Sequence, residues 1–380
     1  MLLVASFFII DTISILYINL FTIMQGSIKK TFLDLIAINS PYPEEHDVKE
    51  YIKKRLNQAK ISHVDDSFGN IIAQIPGTGN PLMLNTHFDI PESTPNVDYE
   101  EQEDIIKATG NNILGADPKS GLAVLIDFAC DIATQDSATH RPIDLVLTRG
   151  EEVGLLGSLN LDYSLVTAKE GLVLDQDGPV SEVVTKAPGF YKIDGSFIGK
   201  IVHPSEPQNG INAFAMMTES FSQVGWGFID EGITWNVGTI TGGTARNSVP
   251  GKVSFEAELR GFDMDKLKTT EQNITSIFED IAYKYGGKYE GLHELMFSGY
   301  DLDTSDEFFT QLSNVLKRHN LQPNFITTFG GSDANIFNAN GIKCVAIGSG
   351  YYLPHQYTEY IKISDLVQIY EVLKSFVEIK

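Results

Sequence analysis

The sequence predicts an α/β fold: a mainly parallel sheet with helices on both faces, interrupted by an inserted α+β ferredoxin-like domain. Three observations carry this reading. Strand and helix signals alternate along the first half of the chain, the pattern of a parallel sheet covered by helices. After Lys186 the rhythm changes to β-α-β-β-α-β over about a hundred residues, a self-contained module. From about Ser298 the first rhythm resumes.

Taken in order, Ser27 to Ile38 has helical apolar spacing (Ile28, Phe32, Leu35, Ile36) and stops at Asn39-Ser40-Pro41. Glu44 to Ala59 is a second amphipathic helix. Asn70 to Ile75 reads as a strand, Pro76-Gly77-Thr78-Gly79 as a turn, and Leu82 to Asn85 as a buried strand. Ser120 to Ile132 is an apolar helix, and Asp144 to Thr148 and Gly171 to Leu174 are strands. The inserted module comprises strands Phe190 to Lys200, Thr234 to Thr241, Lys252 to Arg260 and Lys288 to Met296, with helices Asn212 to Val224 and Lys266 to Tyr285. A helix at Asp306 to His319 and a strand at Val345 to Ile347 complete the outer domain. The expected division is an apolar extension over 1–26, the main domain over 27–187 and 298–380, and the insert over 188–297.

The extension is unusual. Met1 to Met24 is almost wholly apolar, yet no basic residue precedes the run and Asp11 sits near its middle. That is a poor secretory signal and a costly membrane span. The reading is that Met24 is the true start; the alternative is an anchor, with Lys29 and Lys30 placing the body on the cytoplasmic side. Either way the expected location is the cytoplasm. The net charge of −22 argues against a nucleic-acid partner, because phosphates need clustered Lys and Arg. Two cysteines, Cys130 and Cys344, in apolar surroundings fit buried thiols in a reducing compartment.

The chemistry lies in acids and histidines placed just past strand ends, where open α/β sheets build their sites. His87 and Asp89 lie two apart, so both project the same way; Asp89 can hold one imidazole nitrogen while the other binds metal. Asp117 sits between Gly115 and a helix start, as a ligand able to bridge two cations or as an N-cap. Glu151 and Glu152 are adjacent in a turn and point apart: one can bind metal while the other faces a water as general base. Asp175 and Asp177 are both candidate terminal ligands, and His355 follows a turn-rich segment. Carboxylates and imidazoles without thiolates suit zinc, manganese or cobalt. Together they point to metal-assisted hydrolysis.

In this order the motifs His-x-Asp, Gly-Ala-Asp-x-Lys-x-Gly, Gly-Glu-Glu-x-Gly, Asp-Gly, Gly-Gly-Ser-Asp-Ala-Asn and a late His resemble the co-catalytic zinc exopeptidases. That family includes peptidase T, carboxypeptidase G, dipeptidases and deacylases; Leu174-Asp175-Gln176-Asp177-Gly178-Pro179 and Gly330 to Phe337 are most similar to the peptidase T branch. The resemblance implies two divalent ions, zinc above all, with Asp117 shared, His87 and Asp177 on one, and Glu152 and His355 on the other. It implies Glu151 as general base and Asp89 as the group that orients His87. It makes the insert a lid that often dimerises, carrying His203 as an oxyanion contact and Asn247 and Arg260 as substrate contacts. Short peptides, tripeptides in particular, are the implied substrates, with N-acyl amino acids as the alternative and a non-catalytic binding protein as the lesser one. Pro118 stands where the family usually has Asp or Asn after the bridging Asp, so a cis Asp117–Pro118 peptide is expected.

Overall fold

The computed structural model describes residues 24–379, and the apolar stretch over 1–23 lies outside them. Among the described residues no helix is long and apolar enough to cross a membrane. The described residues divide into two units, one of 24–185, Asp303–Ile326 and 332–379, the other of Lys186–Leu302 and Thr327–Gly331. The return of Thr327–Gly331 to the second unit has no counterpart in the sequence reading.

In the first unit the sheet runs His63–Asp65, Ile71–Ile75, Ile143–Thr148, Leu82–His87, Glu170–Gln176, Lys343–Gly348, Glu182–Ala187. The parallel part is the central four strands, from Ile143–Thr148 to Lys343–Gly348. The strands flanking them pair antiparallel. Leu82–His87 and Ile143–Thr148 are buried at every position, as strands covered on both faces must be. Helix Ala116–Ile132 packs on Leu82–His87 and Glu170–Gln176, and helices His46–Gln58 and Ile363–Val377 pack on it in turn. Its Asp127 carboxylate accepts hydrogen bonds from Ser27, Thr31 and Arg55, which ties the helix through residues 24–36 and helix His46–Gln58 to it. Asp333–Ala339 packs on Lys343–Gly348 and against Leu156–Leu159.

A small antiparallel sheet joins Tyr351–Tyr352, Tyr360–Lys362, Ile105–Ala108 and Tyr99–Gln102 in that order. It escapes the sequence reading because Tyr99–Gln102 is exposed throughout and shows no apolar alternation. Cys130 is half-buried and Cys344 buried, both as free thiols.

The second unit is a five-stranded antiparallel sheet in the order Gly227–Asp230, Ile233–Gly242, Lys252–Gly261, Gly189–Ile198, Lys288–Phe297. Helices Ala213–Val224 and Met264–Lys284 are capped at their starts by the side chains of Asn212 and Asp263. Their apolar stripes meet the sheet in a core built on Phe197, Phe221, Trp235, Phe255 and Phe278. The extra edge strand Gly227–Asp230 was not foreseen; it is four residues long and three of them are exposed, leaving little period-2 signal.

Candidate metal centre

The centre begins where the parallel strands end. Register pairs His87 with Thr148 and Asn85 with Val173. Two further residues along each strand bring His87 level with Asp175. Gly121 lets helix Ala116–Ile132 approach closely, since a Cβ there would stand 2.9 Å from Leu174. Gly115 in the left-handed region (φ 69°) and Asp117 in extended conformation (φ −81°, ψ 112°) then turn the Asp117 carboxylate toward the strands. The Asp117–Pro118 peptide is cis, as expected.

Asp117 Oδ1 lies 3.2 Å from His87 Nε2, and its Oδ2 lies 3.4 Å from His355 Nε2. Asp175 Oδ1 completes the first group at 3.2 Å from His87 Nε2. Glu152 Oε1 completes the second at 3.2 Å from His355 Nε2. Asp89 Oδ1 is 3.3 Å from His87 Nδ1, on the far side of the ring. The same Asp89 carboxylate accepts the backbone N–H groups of Glu151 and Glu152 at 3.0 and 3.1 Å, fixing the turn that presents them. Glu151 Oε2 lies 4.0 Å from His87 Nε2, beside both groups.

One expectation needs correcting. Among the described residues three overlapping donor groups form, His87–Glu151–Glu152, His87–Asp117–Asp175 and Asp117–Glu152–His355; the acid beside His87 and Asp117 is Asp175, and Asp177 is in none of the three. Strand Glu170–Gln176 carries Asp175 to the level of His87, whereas Asp177 lies beyond the strand and its carboxylate takes the side-chain amide of Gln176. His203, Asn247 and Arg260 belong to the second unit. There His203 Nδ1 is 2.7 Å from Ser205 Oγ, Asn247 is exposed, and Arg260 donates to Phe329 O while stacking on Phe190. A further acid, Asp333, is buried and accepts the hydroxyls of Thr148 and Ser158, which bracket the turn carrying Glu151 and Glu152. Its Gly-Gly-Ser-Asp motif was visible in the sequence, but its partners lie 175 and 185 residues away.

The electrostatics are those of crowded buried carboxylates. Burial, then the charge of Asp175, pushes Glu151 well above its ordinary value. Burial also raises Asp175 and Glu152. Burial would lower the His87 imidazole, but the charges of Asp175 and Glu151 carry it well above its usual range. His355 is pushed up to about 10 by its contacts with Asp117 and Glu152. Burial alone would raise Asp117, yet the two histidines hold it below the usual carboxylate range. So many acids with only two imidazoles among them are costly to bury unless cations compensate them.

The residues fit divalent ions. Within each three-residue group the donor atoms lie within 4.8 Å of one another. Glu152 Oε1 is buried and makes no hydrogen bond despite its closeness to His355 Nε2, so both atoms are free to point at a shared centre. Hard oxygens with imidazole nitrogens suit zinc, manganese or cobalt.

Comparison with known proteins agrees with this chemistry. The peptidase family M28 profile matches residues 70–183, and the peptidase dimerisation domain profile matches residues 189–286. The chain is 30% identical over 358 residues to the uncharacterized protein YqjE of Bacillus subtilis, covering 91% of this chain and 96% of that one. It is 23% identical to a "probable succinyl-diaminopimelate desuccinylase" of Staphylococcus epidermidis over 91% of this chain and 96% of that one. A tripeptidase from Staphylococcus aureus superposes with a TM-score of 0.87 at 29% identity, over 93% of this chain and 97% of that one. Aminopeptidase PepT from Bacillus cereus gives 0.84 at 27% identity, over 93% and 98%. On this evidence the chain is a metal-dependent peptidase and belongs to the family that includes peptidase T.

Proposed function

We propose that this peptidase is a two-ion exopeptidase acting on short peptides, as an aminopeptidase with tripeptides as its main substrates. The observation that carries the reading is the single Asp117 carboxylate, whose two oxygens reach the histidines of two separate donor groups. One ion would be held by His87, Asp117 and Asp175, the other by Asp117, Glu152 and His355. Bound there, divalent ions would supply Lewis acidity toward a peptide carbonyl and acidify a water enough for attack at neutral pH. Glu151 is the group that takes the proton from that water and returns it to the departing amine. Its raised pKa suits both halves of the task. Asp89 keeps His87 oriented and holds the Glu151 backbone in place. In the second unit, His203, Asn247 and Arg260 are proposed to contact substrate, and the matched dimerisation domain supports a homodimer. Zinc is the proposed ion, and the cytoplasm the proposed location.

The tripeptide preference is drawn from the PepT and tripeptidase structures similar to this chain. The desuccinylase relative supports a second reading, hydrolysis of an N-acyl amino acid on the same scaffold. The test is mass spectrometry of a pool of di-, tri- and longer peptides and N-acyl amino acids, incubated with zinc- or manganese-loaded protein with and without chelator. The expected result is chelator-sensitive loss of the N-terminal residue from tripeptides. Untouched peptides beside cleaved acyl amino acids would replace the aminopeptidase reading with the second one.

A further inference from the structure

Glu359 stands outside every donor group, yet it is fully buried and both of its oxygens face the turn that carries Asp117. Oε2 accepts the N–H of Gly115 at 2.8 Å, and Oε1 accepts the N–H of Asp117 at 3.0 Å. The backbone of Glu359 is itself anchored twice. Its N–H donates to Gln356 O at 2.9 Å, inside the loop that presents His355, and its carbonyl accepts the N–H of Ala108 at 2.8 Å from strand Ile105–Ala108. One residue therefore joins the His355 loop, the small sheet and the Asp117 turn.

We infer that Glu359 is a positioning residue that sets the shared carboxylate of Asp117 between the two donor groups. The inference rests on the two-ion reading above. Asp117 must satisfy two histidines at once, with its oxygens 3.2 and 3.4 Å from their Nε2 atoms. A shift of its Cα toward one histidine takes it from the other. Two N–H groups two residues apart, gripped by one carboxylate, remove that freedom. A carboxylate is needed because both oxygens must accept; a glutamine would set an NH2 donor against one of the N–H groups. Burying an anion is costly unless it is strongly hydrogen-bonded, so its presence next to other acids calls for a local reason. Lys119 is the basic side chain nearby: it is fully buried and donates to Ile38 O, and burial lowers it to about 7 although the charge of Glu359 opposes that shift. An apolar side chain of similar volume would leave both of these N–H groups without an acceptor.

The test uses the full chain, stripped of metal and titrated with zinc against a competing fluorescent chelator, for wild type, Glu359→Gln and Glu359→Asp. Glu359→Gln is expected to weaken binding of both ions by about 10–100-fold, the range seen when groups that orient a ligand are changed. Its kcat should fall while KM for a tripeptide holds, and the N–H left without an acceptor should lower the melting temperature of the metal-free protein by a few degrees, with zinc affinity falling as well. Glu359→Asp keeps the charge but shortens the reach, and its zinc affinity should lie between the two; it carries the test if the Gln variant does not fold. Wild-type affinity for both ions in Glu359→Gln would overturn the inference, as would a metal-free Gln variant that melts well below wild type at unchanged zinc affinity. A wild-type chain that binds no zinc would overturn the two-ion reading itself, so the two failures read differently.

Discussion

The two donor groups share Asp117 but are built differently. The inner one, His87 with Asp175, sits on the ends of two parallel strands, and His87 is only 1% exposed. The outer one, Glu152 with His355, sits on turns, and the His355 side chain is 51% exposed. His355 and Leu353 both occupy the left-handed region (φ 60° and 56°), a conformation that non-glycine residues hold only when their surroundings enforce it. Sheet register fixes the inner donors, whereas loop contacts fix the outer ones, and sites on strands are held more tightly than sites on loops. The inner ion should therefore bind more tightly and leave last.

The comparison can be broken most forcefully at the residue common to both halves. Asp117→Ala should abolish binding of both ions and bring peptide hydrolysis to background, as metal analysis and a peptidase assay would reveal. Retention of one ion would mean that the halves are independent. Glu151→Gln should lower kcat by about 10²–10⁴-fold, the usual contribution of a general base. Both ions should remain bound, so undiminished hydrolysis by this variant would remove Glu151 from its role.

Single-site changes separate the halves. His355→Ala should leave one ion per chain and Asp175→Asn should weaken the inner ion, while Asp177→Asn should change zinc affinity little. An Asp177 variant that loses metal would reverse the assignment made from strand register. A smaller effect is expected from Asp89→Asn, about 10–100-fold in affinity for the inner ion, because it supports His87 from behind the ring.

The smallest test is pH. In the metal-free protein the proton on His355 is held up to about 10 by Asp117 and Glu152. An ion must displace that proton, so outer-site affinity should rise as pH increases from 7 toward 10, with proton release on binding. Calorimetry in buffers of different ionisation enthalpy would measure it; no proton release near pH 7 would contradict the geometry.

Much of the fold was legible because apolar period and turn chemistry agree along most elements. Strands Lys252–Gly261 and Ile143–Thr148 start within one residue of expectation, and helices His46–Gln58 and Glu307–Arg318 within two. In the site, six residues singled out by motif, His87, Asp89, Asp117, Glu151, Glu152 and His355, lie together in space. Asp175 and Asp177 could not be separated by pattern, since residues two apart share a strand face. Only the end of the strand and its register beside His87 distinguish them. The motif around Asp333 was visible but its role was not, because its partners lie 175 and 185 residues away; Glu359 was silent altogether, since its side-chain partners lie 242 and 244 residues away and nothing local marks it as buried.

The most direct measurement is a zinc titration of the metal-free protein by calorimetry. The account predicts two ions per chain in two resolved steps, the tighter one surviving in His355→Ala and the weaker one lost there. A single ion in the wild type, or loss of the tighter step in His355→Ala, would contradict it.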